Sequence, residues 1–572
     1  MTPSISNTLK KPLLTSALAI SILLSSGSFV QAQQAVTGPA DPSRAADRII
    51  EESLIPQGGP NIRIKKLSLQ KAPAGADKIM FNFAGLQMSG VGVYNEDDLS
   101  GIYQNQIGNE ISLADLYAIA NQITSKYRRD GYVLTQVIVP PQTIDNGIAQ
   151  LQVVEGFIDN ITVEGGEENP TALKVIKDYA RQISSNGQPL NINEMERQLL
   201  LINDLPGVMA RSIISPSQST RGAADMLISL ERDTFEAFVG VNNHGSRFLG
   251  PVQFNAGTTF NSLFGQNERI TTQIAFAPDQ GLELAFGSLD YEQPVGRYGT
   301  KLNFGGSIAS TDPGFTLRPI GVDGLSENLY IGVEHPFIRS RNTNVFGRTT
   351  FNFRNVENRV DGVPTIEDRI RVIRAGIRAD FLDRLLGTAV NSIDFELSHG
   401  LDIFGATDSG DANITRAAGD PTFFKGNLRF ERLQRLSSNF NLVLSGRAQL
   451  SNNPLLSSEE FGLGGYTSVR GFEPSEVVGD DGIGGTAELQ WNNPERNVQL
   501  FGFLDTGTVW DQDASAISGN RRNSLTSTGI GVRFDLPYEV NAEFVAAQPL
   551  HRDISSRNSR EPQFFFSLTK SF

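Results

Sequence analysis

The last 47 residues of the chain decide its fold. They read as five segments: TSTGIGVRFDL (526–536), PYE (537–539), VNAEFVAAQ (540–548), PLHRDISSRNSREP (549–562) and QFFFSLTKSF (563–572). The first, third and last segments are rich in β-branched, aromatic and alternating apolar residues, which predicts three strands. A tight turn and then a long connection separate them. Short connections that alternate with long ones are typical of a transmembrane β-barrel.

The same alternation continues towards the N-terminus. We predict strands at 498–506, 485–492 and 441–451, separated by a long connection at 507–525, a short turn at 493–497 and the longest loop at 452–484. Outer-membrane barrels have brief turns on the periplasmic side and extended loops on the outer side. This pattern therefore places the C-terminus on the periplasmic side and the loop 452–484 on the outer side.

The length of the repetitive region predicts the number of strands. From Phe235 onward the helical period is absent, and 338 residues remain. At about 20 residues per strand and connection, they hold about 16 antiparallel strands. A soluble β-sandwich would also alternate, so alternation alone does not exclude one. We predict a barrel over 234–572, and the last strand supports it by its shared lipid-facing set: Phe564, Phe566, Leu568 and Phe572.

The N-terminal region and the composition indicate an exported protein. Residues 1–32 have a positive start, an apolar core and a small-residue cleavage site, so we predict a signal peptide. Without its two lysines the chain has 47 basic and 63 acidic residues, a net charge of −16 that argues against a nucleic-acid partner. The chain has no cysteine, which excludes a disulfide framework. After the signal there is no apolar run of about 18 residues, which argues against a transmembrane helix.

Between the signal and the barrel, the sequence predicts a linker and two α/β modules. The linker is 33–60, and within it residues 44–54 are predicted to form a short helix; a disordered segment is the alternative. The first module is 61–156, with its main helix opening at Ser112 and its apolar face running from Leu113 to Tyr127. Two strands, at 132–139 and 148–154, are predicted to follow this helix. The second module is 157–233, with helices predicted at 171–183 and 193–205. Each module places helices against a small sheet.

Two charged residues mark the candidate site. Arg470 lies between Val469 and Gly471 in the long polar loop, and Asp505 lies in an apolar strand. On that strand Val498, Leu500, Gly502 and Leu504 form an apolar lipid face, so Asp505 shares the lumenal face with Phe503. The loop is long enough to fold back and bring Arg470 to Asp505. A solvated arginine and an unrelated aspartate are the alternative. By the same parity, Arg533 and Asp535 face the lumen on the next strand.

These residues resemble the paired signatures of a known family. Val469-Arg470-Gly471-Phe472 and Phe503-Leu504-Asp505-Thr506-Gly507 are similar to motifs of the two-partner secretion transporters. These are outer-membrane pores of the haemolysin activation and secretion type, in the superfamily that includes the barrel-assembly insertase. Residues 131–156 resemble the family's first POTRA module, and residues 195–208 resemble its second. Phe472 departs from the pattern, because many members carry a tyrosine there, which questions any role for a hydroxyl.

The resemblance implies a function. Two periplasmic POTRA modules would capture an unfolded exported partner, a β-helical exoprotein, by adding its strands to a POTRA sheet edge. The barrel, expected to be a monomer in the outer membrane, would then pass the partner to the cell surface. Arg470 and Asp505 would anchor the inserted loop, which is thought to move during transport. The helix predicted at 44–54 would plug the barrel.

Other functions have less support in the sequence. The four histidines have no metal-like spacing, and neither a phosphate-binding loop nor a Gly-x-Ser-x-Gly elbow occurs, so we expect no enzyme, cofactor or metal site. A barrel-assembly insertase usually has more POTRA modules than the two for which this chain has room. A passive porin would not need about 170 residues of periplasmic modules, counted from the predicted bounds. Both remain alternatives.

Overall fold

A computed structural model describes residues 38–49, 62–64, 69–183, 187–220, 222–513 and 521–572. The first described segment has a 3-10 turn at Pro42–Arg44, followed directly by helix α1 (Ala45–Ile49). The Asp41 carboxylate caps the turn by accepting a 2.8 Å hydrogen bond from the Ser43 amide. The helix predicted at 44–54 therefore begins as expected. Its last five residues and the predicted signal peptide lie outside the described residues.

The first α/β module contains two small sheets and one long helix. Its elements are β2 (Met80–Asn82), β3 (Gly85–Ser89), α2 (Glu96–Ser100), β4 (Glu110–Ser112), α3 (Leu113–Arg129), β5 (Gln136–Ile138) and β6 (Ile148–Val154); β1 (Ile62–Ile64) precedes it. The sheets are β3-β6-β5 and β2-β4. Helix α3 starts with a capping box, because Ser112 and Asp115 each accept a hydrogen bond from the other's amide. Its buried face, Leu116, Ile119, Ile123 and Tyr127, packs on the sheet.

The predicted elements of this module are present, with one marked difference. The strand predicted at 132–139 is reduced to Gln136–Ile138. Gly131 has a φ of 102°, and the Tyr132 amide donates back to the Tyr127 carbonyl, so the chain turns before it extends.

The second α/β module has one four-stranded sheet against two helices. Its elements are β7 (Phe157–Glu164), α4 (Pro170–Ala180), α5 (Ile192–Asn203), β8 (Val208–Pro216) and β9 (Ala223–Arg232). The sheet order is β1-β8-β9-β7. Strand β1 lies within the predicted bounds of the first module, 61–156, but it pairs in parallel with β8 at one edge of the second module's sheet. The core between sheet and helices is apolar and includes Ile176, Met195, Ile202 and Ile228.

The described residues from Phe235 onward form a closed barrel of sixteen strands, which confirms the predicted architecture. Every neighbouring pair is antiparallel, and β10 closes the barrel against β27. The small hairpin β21–β22 lies within the longest loop. The strands are β10 (Phe235–Asn242), β11 (Gln253–Asn261), β12 (Arg269–Ala277), β13 (Leu284–Val295), β14 (Thr300–Thr311), β15 (Val322–Arg339), β16 (Thr343–Val360), β17 (Val363–Asp383), β18 (Ala389–Gly400), β19 (Phe424–Arg435), β20 (Phe440–Ser451), β21 (Phe461–Leu463), β22 (Val477–Gly479), β23 (Asp481–Asn493), β24 (Val498–Trp510), β25 (Arg522–Leu536), β26 (Val540–Pro549) and β27 (Gln563–Ser571).

The two ends of the barrel differ. At one end, here the turn end, the connections are short, such as 494–497 and 537–539; at the other, the loop end, lie long connections such as 401–423 and 452–480. The outward faces are apolar and exposed, as at Leu500, Leu504 and Ile530, in agreement with the predicted parity. No described helix is long and apolar enough to cross a membrane.

The inserted loop is shorter than predicted, because β23 begins at Asp481 rather than 485 and the loop is 452–480. Glycines at 482 and 484 suggested a loop, but they are part of the wall. A Cβ added at Gly482 would lie 2.0 Å from the Phe461 ring, and one at Gly484 would lie 2.9 Å from Leu463. These glycines therefore leave room for apolar side chains of the inserted loop. β24 likewise extends to Trp510 and shortens the following loop.

Candidate functional site in the barrel lumen

The inserted loop, residues 452–480, lies against the inner wall of the barrel. Its apolar residues Leu463, Val469 and Phe472 are buried and share one cluster with Val509 and Leu525 of the wall. Both wall residues belong to the strands β24 and β25 that carry the predicted lumenal charges. The loop is therefore packed on the part of the wall that contains Asp505.

Arg470 contacts Asp505 through three hydrogen bonds. Its Nε and Nη2 donate to the two carboxylate oxygens, at 2.9 Å each, and its backbone amide donates to Oδ2 at 3.1 Å. Asp505 has no exposed surface, and the guanidinium carbon lies 3.4 Å from the centre of the Phe503 ring. A planar guanidinium satisfies a buried carboxylate in this bidentate way, which a lysine ammonium cannot do.

A second carboxylate, Glu488 on β23, completes the site. Its Oε2 accepts a 2.9 Å bond from Arg470 Nη1, and its Oε1 accepts a 2.8 Å bond from Arg533 Nη1. The connection lengths that predict the strand of Glu488 do not show which residues of the strand face the lumen, so Glu488 is not among the predicted site residues. It pairs in register with Phe503, so the parity of the next strand would have identified it as lumenal.

Arg533 extends the charge cluster to β26. Its Nε lies 3.2 Å from Glu543, which also accepts a 2.5 Å bond from the Tyr466 hydroxyl of the inserted loop. The Arg533 guanidinium lies 3.9 Å from the Phe501 ring. Asp535, two residues further along β25, is exposed near the turn end and lies outside this cluster. The predicted lumenal pair is therefore divided: Arg533 joins the site and Asp535 does not.

The two motif glycines are required for different steric reasons. Gly471 has a φ of 94°, in the left-handed region that glycine favours, which lets the chain turn immediately after Arg470. Gly507 on the wall faces Leu463, and a Cβ there would lie 2.7 Å from its side chain. Val469 and Phe472 flank the turn as apolar contacts. The motifs thus combine an ion pair with the shapes that allow the loop to approach.

The N-terminal segment 38–49 contacts the same loop near the loop end of the barrel. Arg44 donates to the carbonyls of Ser457 at 2.5 Å and Glu460 at 3.3 Å, and Asp41 accepts a 2.7 Å bond from the Ser457 hydroxyl. Ala40 and Ala45 pack with apolar residues of β12 to β15 and the adjoining loops. A cavity of about 540 Å³ separates this segment and the loop from the wall of β16 to β20.

The second α/β module contacts the turn end. Asp204 accepts bonds of 2.7 and 2.6 Å from Arg339 Nε and Nη2 at the end of β15. The Tyr179 hydroxyl accepts a bond from the Gly299 amide, and Arg197 donates to the Pro336 carbonyl. These contacts fix the module against the mouth of the barrel opposite to the N-terminal segment. Among the described residues, no group of three or more His, Asp or Glu side chains could hold a metal ion.

The comparisons with known proteins agree with this architecture. The model of the family described as haemolysin secretion/activation protein ShlB/FhaC/HecB matches residues 223–534, more than half of the chain. The chain belongs to this family. A POTRA domain model of the ShlB type matches residues 81–156, within the first module. The resemblance drawn from the motifs is therefore confirmed, and with it a family of secretion channels rather than of enzymes.

Individual relatives are similar along most of their length. The heme/hemopexin transporter protein HuxB of Haemophilus influenzae is 25% identical over 499 residues, 83% of this chain and 84% of that protein. The hemolysin transporter protein ShlB of Serratia marcescens is 24% identical over 466 residues, 79% of each chain. The solved structure of CdiB from Escherichia coli covers 96% of this chain and 99% of its own, with a TM-score of 0.72 and 19% identity. That structure supports the fold.

Proposed function

We propose that this protein is an outer-membrane pore that recognises an exported partner protein through its two α/β modules and translocates it to the cell surface. The observation that supports the proposal is the loop held inside the barrel lumen. A closed barrel contains an inserted loop whose Arg470 is held by Asp505 and Glu488 of the wall. Ion pairs can exchange partners without unfolding the barrel, so the loop is suited to move while the wall stays closed.

The two modules would face the periplasm at the turn end, where the partner arrives. Capture would proceed by addition of a partner strand to a sheet edge. The β8 edge of the second module is already paired with β1. The end strands among the described residues are therefore β1 and β7 of that sheet, and β3, β5, β2 and β4 of the first module. The partner is an unfolded exoprotein that becomes β-helical outside, and the transporter acts as a monomer without a cofactor.

The N-terminal segment would close the resting pore. Residues 38–49 contact both the inserted loop and the wall near the loop end, a position from which they would narrow the open lumen. Export would then require this segment and the loop to leave the lumen. Folding of the partner outside the cell would supply the driving force.

Co-expression tests the proposal. The chain is expressed with a large exported protein encoded beside its gene, and the partner is measured in the medium and in the periplasm. Asp505→Ala should abolish most of the export at unchanged barrel abundance, whereas Asp535→Ala, an exposed carboxylate outside the cluster, should export normally. Ion conduction without export would indicate a porin, and loss of other outer-membrane proteins on deletion would indicate an insertase; either result would overturn the proposal.

A further inference from the structure

A second charged contact holds the inserted loop, and its sign is opposite to that of the first. The 3-10 turn Ser457–Glu459 places the Glu459 carboxylate, 2% exposed, among three cations of the inner wall. Arg374 Nη2 lies 2.7 Å and Lys425 Nζ 2.8 Å from its oxygens, and Arg354 Nη1 lies 3.8 Å away. We call these three residues the cation triad. They belong to β16, β17 and β19.

The cation triad also binds the peptide backbone of the turn. Arg354 Nη1 donates to the Ser458 carbonyl at 3.1 Å, and Lys425 Nζ donates to the Glu459 carbonyl at 2.7 Å. Gln449 on β20 adds a 3.0 Å bond to the same carbonyl. The wall therefore recognises a carboxylate together with the adjacent main-chain carbonyls. That combination is an acidic residue within a polypeptide, and a small free anion provides only part of it.

The cation triad needs an anion whenever the loop leaves. Two carboxylates that line the same cavity, Asp394 and Glu396, already pair with Arg348 at 2.6 and 2.9 Å. Removal of one partner from a buried ion pair leaves an uncompensated charge, which is strongly unfavourable. The adjoining cavity of about 540 Å³ is lined by the whole triad and gives a passing chain access to it. A transported segment would thus meet three cations that have lost their internal carboxylate.

We propose that Arg354, Arg374 and Lys425 form a binding subsite for acidic residues of the transported polypeptide, and that Glu459 occupies this subsite in the resting channel. This inference rests on the proposed function, because it names the chemistry of the chain that passes the lumen. Glu459 is then an internal competitor of the partner. An acidic segment that binds the cation triad stabilises the state in which the inserted loop has left.

Channel block measures this preference. The purified full-length protein is placed in planar bilayers, and its current is recorded with peptides of about 15 residues, long enough when extended to cross a bilayer core of about 30 Å. One peptide repeats Glu-Ser-Gly and the other repeats Lys-Ser-Gly. In Glu459→Gln, the acidic peptide should block at about tenfold lower concentration than the basic one. Adding Lys425→Gln should remove most of that difference.

Control variants distinguish binding at the cation triad from a general electrostatic effect of the lumen. Lys301→Gln removes another lumenal lysine, paired with Glu292 of β13 near the turn end, and should leave the preference in Glu459→Gln unchanged. Inorganic phosphate at equal charge should not compete with the acidic peptide. Retention of the compact, heat-modifiable barrel in gels checks the folding of each variant.

Three outcomes would overturn the inference. They are equal block by the two peptides, a preference for the acidic peptide that survives Lys425→Gln, and binding of phosphate to the cation triad that is as strong as binding of the acidic peptide. The last would make this a free-anion site. Secretion of the exported partner by the wild type tests the proposed function separately. A channel that secretes but shows no charge preference would therefore contradict only the subsite.

Discussion

In the two α/β modules the interior is apolar, whereas the barrel lumen is filled by apolar patches and paired charges together. Helix α3 of the first module buries Leu116, Ile119 and Ile123, and α5 of the second buries Met195 and Leu199. In the lumen, the inserted loop buries Phe472 but also Arg470 and Glu459. Residues of the modules and of the inserted loop are thus both buried, but different interactions hold them in place.

The two regions differ in whether a broken contact can be replaced by a contact with another molecule. An apolar contact that is broken exposes surface to water at about 25 cal/mol per Å², and no soluble ion can replace it. A broken ion pair leaves a specific charge that another charge of the right sign can satisfy. The modules are therefore built to stay folded while they bind a partner. The inserted loop is built to be displaced by a chain that carries compensating charges.

The largest effect is expected at the tip of the loop. Arg470→Met leaves Asp505 and Glu488 without this cation in a buried setting, which destabilises the docked loop by about 3–5 kcal/mol. The open channel should become the dominant state, seen as a large rise in the conductance of planar bilayers. Export of the partner should fall because the loop no longer has a defined resting position.

Arg470→Lys is the matched control for charge. It keeps a cation but cannot donate through Nε and Nη2 to both oxygens of Asp505. Its conductance should lie between those of the wild type and Arg470→Met. A wild-type conductance in Arg470→Met would show that the apolar contacts of Phe472 and Val469 hold the loop without the ion pair, and the proposed contrast would be wrong.

A core substitution in a module should have an effect of similar size but confined to that module. Ile119 is fully buried in α3, and Ile119→Ala should destabilise the first module by about 2–5 kcal/mol through lost burial and a cavity. Hydrogen exchange in α3 and β6 should accelerate in the full chain, while exchange in the inserted loop stays the same. Ile148→Ala, at a half-exposed isoleucine of the same module, should change little.

Arg533→Gln should act in the opposite direction to Arg470→Met. With the loop docked, Glu488 still has Arg470, and Glu543 still has the Tyr466 hydroxyl. When the loop leaves, both carboxylates lose those partners, so Arg533 matters most in the released state. We expect a penalty on release of about 1–3 kcal/mol, which corresponds to a conductance about 5- to 150-fold below that of the wild type.

The double variant of Arg470→Met with Arg533→Gln tests whether the two arginines are coupled. Independent sites would give additive changes in the free energy of loop release. A conductance increase in Arg533→Gln alone would show that Arg533 holds the loop in place, and the assignment to the released state would fail.

Most of the architecture could be predicted from local patterns. The length of the repetitive region and its alternating connections predicted the sixteen strands, and the capping box at Ser112 predicted the start of α3. The bounds of the inserted loop could not be predicted, because Gly482 and Gly484 look like loop residues. Glycine is needed at these two positions because the side chains of Phe461 and Leu463, which belong to the inserted loop, pack against them.

The candidate site could be predicted only in part. Parity placed Asp505 and Arg533 in the lumen, and loop length allowed Arg470 to reach Asp505. Parity alone cannot tell how far along the strand a charge lies. It therefore predicts the lumenal face for both Arg533 and Asp535, although Asp535 is exposed near the turn end. Glu459 had no signal in the sequence, because its cationic partners lie on three separate strands, β16, β17 and β19, that are distant from it along the chain.

The smallest expected effect concerns a charged residue in a module. The core of each module is apolar, so charged residues contribute little to its stability. The Ser112 amide and hydroxyl both donate to Asp115, and these bonds hold the pKa of Asp115 below its ordinary value of 3.8. A lowered pKa contributes stability above the ordinary value and loses it as the pH falls through the folded-state value. Asp115→Asn should therefore weaken the first turn of α3 at neutral pH by about 1 kcal/mol or less.

The measurement is hydrogen exchange of the first amides of α3, compared between variant and wild type at each pH. The ratio of their rates should be largest at neutral pH and approach one as Asp115 becomes protonated, because the wild type then loses the same bonds. Glu110→Gln, at an exposed carboxylate of β4 outside the cap, should show a ratio near one throughout. A ratio for Asp115→Asn that stays constant into acid would mean that the side-chain shape, and not its charge, caps the helix; the modules would then be insensitive to charge even at their helix ends.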